Sequence, residues 1–189
     1  MNAEHARTLE DLTAAIGSLP APPAEVGEVV RIVARPESGE RLVLEVAELA
    51  EGGSIPGDRW PRQVLEKPGK YDQSAISVIR ADLADLFAEG SDPVLAGDNL
   101  HVLLDLSEAN LPVGSMLEVG AATVRVTPKA HTGCAKFSAR FGLESLKATV
   151  LPTLRATRLR GLFFEVVRGG AVRVGDPIRV LSRGSGDLG

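Results

Sequence analysis

The residues best placed to do chemistry are gathered around Cys134, the only cysteine in the chain. His131 and Thr132 stand just before it, and Lys136 and Arg140 follow. The segment comes after an alternating run, Ala122 to Thr127, that ends at Pro128, and it opens a run with helical spacing at Ala135, Ala139, Leu143 and Leu146. That pattern predicts a strand-to-helix turn with Thr132 as N-cap and Cys134 in the first helical turn. Unpaired backbone N–H groups and the positive end of the helix dipole favour an anion there. Lys136, Arg140 and a protonated His131 push the same way, and such surroundings lower a thiol's pKa. Cys134 is then a candidate nucleophile or metal ligand. Free cysteines also serve as small buried apolar groups, and both readings stay open on the residues alone.

A second cationic group, Arg155, Arg158 and Arg160, lies just ahead of the β-rich run Leu162 to Val167. Guanidinium forks in that position suit a phosphate or a carboxylate, or simply a solvated face. Other familiar signatures are missing. The sequence holds no G-x-G-x-x-G, no G-x-x-x-x-G-K-[ST] and no G-x-S-x-G, the usual warrants for a dinucleotide site, a P-loop and a serine-hydrolase elbow. His5, His101 and His131 are far apart, with no C-x-x-C or H-x-x-x-H pairing to suggest zinc.

The elements that must position these groups are short. At 189 residues with 44% hydrophobic and 24% charged residues, the chain suits one folded domain plus an extension. A net charge of −4 argues against general nucleic-acid binding. A single cysteine cannot close an intramolecular disulfide, and no signal-peptide pattern or long apolar run is present. The expectation is a cytoplasmic protein without membrane contact.

Leu9, Leu12, Ile16 and Leu19 have the spacing of an amphipathic helix, and Pro20, Pro22 and Pro23 stiffen the connector after it. Residues 1–22 are therefore read as an appended helix, docked on the domain or on a second copy in a homodimer, 23–182 as the main domain and 183–189 as a flexible tail. Within the main domain, Gly27–Ala34 and Arg41–Glu48 read as a hairpin and residues 61–72 as a mobile surface excursion. Further strands are expected at 74–79, 100–104, 116–119, 122–127, 162–167, 171–174 and 178–181, with a helix at 80–88. Many short strands with glycine turns and two or three helices predict an α+β fold, mainly β: a largely antiparallel β-barrel with short helical inserts.

The order Gly57-Asp58-Arg59, Ala96-Gly97-Asp98-Asn99-Leu100, Asp105 to Pro112, His131 to Phe137, Arg158-Leu159-Arg160-Gly161 and Val174-Gly175-Asp176 resembles the MOSC domain over roughly residues 24–182. This domain closes the molybdenum cofactor sulfurases, occurs in amidoxime-reducing molybdenum enzymes and stands alone in small bacterial proteins. The resemblance implies a β-barrel and the molybdenum cofactor (molybdopterin). It implies that Cys134 serves as molybdenum ligand in the reduction of N-hydroxylated small molecules, or as a persulfide carrier. It makes Arg158 and Arg160 candidates for the cofactor phosphate, with His131, Thr132, Lys136 and Arg140 around the thiolate and Asp98 and Asn110 as candidates for the pterin edges. The extra domains of the larger enzymes are missing, so an electron donor or sulfur donor would be a separate protein. The alternative is a non-catalytic barrel that binds a small anionic ligand or a partner protein through its arginines.

Overall fold

The computed structural model describes residues 7–186, so His5 and the outer parts of both predicted end segments lie outside the described residues. Strands form where apolar side chains recur every second position, because alternation puts one face of the strand into the core. They are β1 (Val26–Ala34), β2 (Leu42–Leu44), β3 (Val46–Leu49), β4 (Ile76–Arg80), β5 (Leu100–Leu103), β6 (Met116–Val119), β7 (Ala122–Val126), β8 (Leu162–Arg168), β9 (Gly170–Arg173) and β10 (Pro177–Ser182).

The order β10-β6-β7-β8-β4-β5-β1 closes on itself, since β1 pairs back onto β10 with Val26 opposite Arg179. A seven-strand barrel results. Strand β2 extends the wall beyond β10 by pairing with the far end of β1, while β3 and β9 form a separate ribbon. All pairings are antiparallel except β4 with β5. Parallel neighbours need a crossover connection, and here helix α3 (Ala81–Ala88) and a 3-10 turn at Pro93–Ala96 supply it. The barrel interior holds fully buried Val29, Ile32, Val78, Leu100, Leu117, Val124, Phe164 and Ile178.

The remaining helices are more numerous than the sequence suggested. They are α1 (Leu9–Gly17), α2 (Trp60–Glu66), α4 (Ala135–Phe141) and α5 (Leu143–Thr149). Helix α2 takes up the first part of the predicted surface excursion, starting one residue ahead of it, with Pro61 in the first turn where its missing N–H costs nothing. The single helix expected after Cys134 breaks at Gly142, whose φ of 86° is open to glycine. The second hairpin arm also divides, at Glu45, sending β2 to β1 and β3 to β9.

Helix α1 docks on the main domain. Thr8 and Asp11 close a reciprocal capping box at its start. Its Leu12, 1% exposed, enters a second core with Leu83, Phe87, Phe137, Ala148 and Leu159. Phe137 meets Phe87 and Phe141 edge to face, with ring centroids 5.4 and 5.1 Å apart. This second core fixes α4, and through α4 the backbone of Cys134. Among the described residues no helix is long and apolar enough to cross a membrane.

Candidate functional site

Four arginines from distant parts of the chain converge near the turn Gly97-Asp98-Asn99 that leads into β5. Arg35, just past β1, donates from Nη1 to the Gly97 carbonyl at 3.2 Å. Arg140 of α4 donates to the Leu95 carbonyl at 2.6 Å. The Nη2 of Arg41, ahead of β2, passes 2.8 Å from where a Cβ on Gly97 would stand, so any larger residue would displace it. Arg59 is held by its backbone N–H on the Arg35 carbonyl at 3.0 Å and by its Nη1 on the Glu37 carbonyl at 2.6 Å.

Two buried carboxylates neutralise part of this charge. Asp58 accepts from Arg35 Nε at 2.8 Å and Arg35 Nη2 at 3.2 Å, from Trp60 N–H at 2.9 Å and from Asn99 at 2.9 Å. Burial raises its pKa, but the guanidinium and these donors outweigh burial and hold it below the ordinary carboxylate range. Asn99 also bonds Ser77 and the Val33 carbonyl, which ties the turn to β1 and β4. Asp98, wholly buried, accepts from Arg160 at 2.5 Å. Complete burial pushes its carboxyl upward against the pull of Arg160, Arg35 and Arg41.

No carboxylate among the described residues comes within ion-pair distance of Arg41, Arg59 or Arg140. Burial, then Arg140, Arg35 and Arg59, pull Arg41 down to about 10. The Nε atoms of Arg41 and Arg59 are buried without a partner. Beside them Lys136 donates to Ser38 at 2.9 Å, and Ser38, Arg59, Arg62, Gln63 and Lys136 bound a cavity of about 420 Å³, with Glu37 and Glu66 at its edge. Unpaired guanidinium donors at one spot form a seat for an anion.

Cys134 is exposed and is itself the N-cap of α4, with no side-chain capping bond. The helix thus begins later than a Thr132 cap required. Thr132 instead lines a cavity of about 410 Å³ on another side, together with His131, Lys129, Arg155, Arg158 and Arg160. His131 stacks on Phe163 with centroids 4.3 Å apart, and its Nε2 stands 3.5 Å from Asp98. Burial, reinforced by Arg160 and Arg35, holds its pKa well below the ordinary value. Burial therefore works against a protonated His131 beside Cys134.

The remaining predicted residues go to different places. Arg140 joins the arginine group, and Lys136 lines its cavity. Arg160 is committed to Asp98 and the Ala96 carbonyl, and its guanidinium lies 4.9 Å from the Phe137 ring. Arg158 uses Nη1 on the carbonyls of Leu106 and Leu111. Asn110 donates to the carbonyls of Ala24 and Asp105 and accepts from Arg183, a structural knot that also anchors the start of the predicted tail. The sequence had not singled out Arg35 or Arg41 at all, and Arg59 only as part of a turn. The available signal was their placement flanking glycine-containing turns.

The chain matches the sequence model of the MOSC domain over residues 68–179. No curated protein matches by sequence. Among solved structures it is similar to the YuaD protein of Bacillus subtilis, with a TM-score of 0.61 at 19% identity, covering 82% of this chain and 95% of that one. It is also similar to YiiM of Geobacillus stearothermophilus (TM-score 0.58, 18% identity, 86% and 78% covered). A third likeness is to YiiM of Escherichia coli (TM-score 0.53, 20% identity, 88% and 72% covered). Each of these likenesses in fold covers more of the chain than the region matched by sequence.

Proposed function

The chain belongs to the MOSC domain family, and from that premise we propose that it binds the molybdenum cofactor on the arginine-lined side of the barrel, with Cys134 as the protein's thiolate ligand. The observation that carries this reading is the gathering of Arg41, Arg59 and Arg140, none with a carboxylate partner, beside the helix that Cys134 caps. The donor set suits such a group. Among the described residues no three His, Cys, Asp or Glu side chains assemble into a metal site. One thiolate therefore fits a metal that arrives with most of its ligands already in place. The same cofactor carries a phosphate, for which the orphaned Nε atoms of Arg41 and Arg59 are ready donors.

In this reading Arg41, Arg59 and Lys136 hold the phosphate, and Ser38 positions the Lys136 ammonium. Asp58 holds Arg35, and through it the turn under the arginines, in one geometry. Arg158 and Arg160, the residues first assigned to the phosphate, serve as supports instead, Arg160 by fixing Asp98. The bound metal supplies two-electron redox chemistry, able to remove oxygen from an N-hydroxylated substrate. Exposure of Cys134 leaves room for substrate or a separate electron-donor protein to approach.

That exposure also supports a second reading, in which the Cys134 thiolate attacks the outer sulfur of a donor protein's persulfide, breaks its S–S bond, releases the donor's thiolate and passes the sulfur on as a persulfide. One comparison separates the two. Wild type, Cys134→Ala and Arg41→Gln/Arg59→Gln are purified from a host that makes the cofactor, and molybdenum and pterin are quantified. Cofactor in wild type and its loss in both variants is the expected result. Wild type without molybdenum but with a reducible extra sulfur on Cys134 would replace the ligand reading with the carrier.

A further inference from the structure

We propose that the cavity walled by Thr127–Thr132 and Arg155–Leu162 is a second binding site, one for a small monocarboxylate with a short apolar body. Its volume of about 410 Å³ is in the range of small-ligand sites. Apolar Val113, Leu159 and Leu162 line part of it, and Arg155 and Arg158 line another.

Three observations select this ligand class. First, the site has buried polar atoms with nothing to bond. Arg160 and His131 both line the cavity, with side chains 8% and 9% exposed. Arg160 Nε and His131 Nδ1 have no partner. Such atoms cost free energy unless something fills the cavity and pairs with them.

Second, Arg158 is preset. Its backbone has a positive φ of 50°, and Gly161 after it packs so closely that a Cβ there would overlap the Val78 carbonyl. Its Nη1 is held by Leu106 and Leu111, so its other nitrogens are free for a ligand in a fixed direction.

Third, the charge fits one negative group. Arg160 is balanced by Asp98, and Lys129 turns its ammonium to the carbonyls of Lys70 and Asp72. Arg155 and Arg158 against Glu108 then leave one net positive charge among the remaining lining side chains, with the Lys129 charge held apart on the carbonyls of Lys70 and Asp72. A carboxylate matches that better than a dianionic phosphate.

This site does not rest on the cofactor reading, and a test can keep the two apart. Benzoate is titrated into the full chain, with binding followed by calorimetry and by backbone amide shifts, alongside benzyl alcohol as the uncharged control. The expected result is benzoate binding with shifts at Thr132, Leu159 and Leu162, weakened about fivefold or more by Arg155→Glu, which lies on the surface without a partner, and unchanged by Arg59→Gln. Benzyl alcohol binding as well as benzoate would overturn the proposal. So would the absence of benzoate binding, or binding lost in Arg59→Gln but kept in Arg155→Glu.

Discussion

Arg160 donates to Asp98 at 2.5 Å, with both side chains withdrawn from solvent and joined across 62 residues of sequence. Asp98 belongs to the turn on which Arg35 donates, and Arg160 lines the proposed carboxylate site, so the pair ties one to the other. Removing one partner leaves a buried charge alone. Asp98→Ala should therefore lose about 3–5 kcal/mol in denaturant unfolding, and Asp98→Leu combined with Arg160→Met should recover most of it. A single-variant loss under 1 kcal/mol would mean that water reaches Arg160.

Cys134 makes no capping bond and is exposed. Cys134→Ala should change unfolding free energy by less than about 0.5 kcal/mol, as surface substitutions do. Loss of molybdenum or sulfur in that variant, with an unchanged melting curve, can then be assigned to the thiol itself. A large drop in stability would remove that inference.

Two buried histidines should make the fold sensitive to mild acid. Burial, then Arg31 and Arg160, lower His101 to about 3, and His131 is also held well below 6.5. The unfolded chain takes up these protons near the ordinary value of about 6.5 while the folded chain resists, so the contribution is intact above that pH and is lost as pH falls. The expected slope is up to about 1.4 kcal/mol per pH unit for each histidine. Asp98, raised by burial, works in the opposite direction, and Asp58, held low, adds to the loss below the ordinary carboxylate range. Neither ring nitrogen of His101 has a partner. His101→Leu should therefore cost nothing at pH 7 and should flatten the acid limb by about one proton. An unchanged limb would show that His101 titrates normally.

Arg41 is crowded by three like charges. Arg41→Gln should raise the melting temperature of the cofactor-free protein, because it removes burial and repulsion that Asp98 offsets only in part. Sulfate, by occupying the same donors, should stabilise wild type more than the variant. Equal sulfate responses would argue against an anion seat.

Leu12→Ala tests whether α1 belongs to the fold. With Leu12 1% exposed in the helical core, the loss should be about 2–4 kcal/mol. A neutral result would return the helix to the role of an appendage.

The barrel was legible in the sequence because alternation is local: Met116–Val119 forms the strand its pattern predicts. The break at Gly142 was not, since Ala135, Ala139, Leu143 and Leu146 keep helical spacing across it and only the positive φ reveals two helices. Cys134 stood out by residue type. Its arginine neighbours did not, because Arg35, Arg41, Arg59 and Arg140 meet only once β1, β2, α2 and α4 are in place. Conversely, Arg155, Arg158 and Arg160 stay together around one cavity yet take different partners: one is exposed, one reaches the carbonyls of Leu106 and Leu111, and one reaches Asp98.

The seam between β1 and β10 also governs when this protein can exist. Val26 faces Arg179, and Val29 donates to the Asp176 carbonyl at 2.9 Å, so the start of β1, whose far end pairs with β2, finds this partner only after the last strand has been made. During synthesis that part of the edge waits unpaired while nearly the whole domain follows it off the ribosome. Loops closed over such distances form slowly. The arginine cradle is completed only when Arg140 arrives with α4, and the barrel only when β10 closes it, so a cofactor or a sulfur donor would meet a finished barrel rather than a growing one.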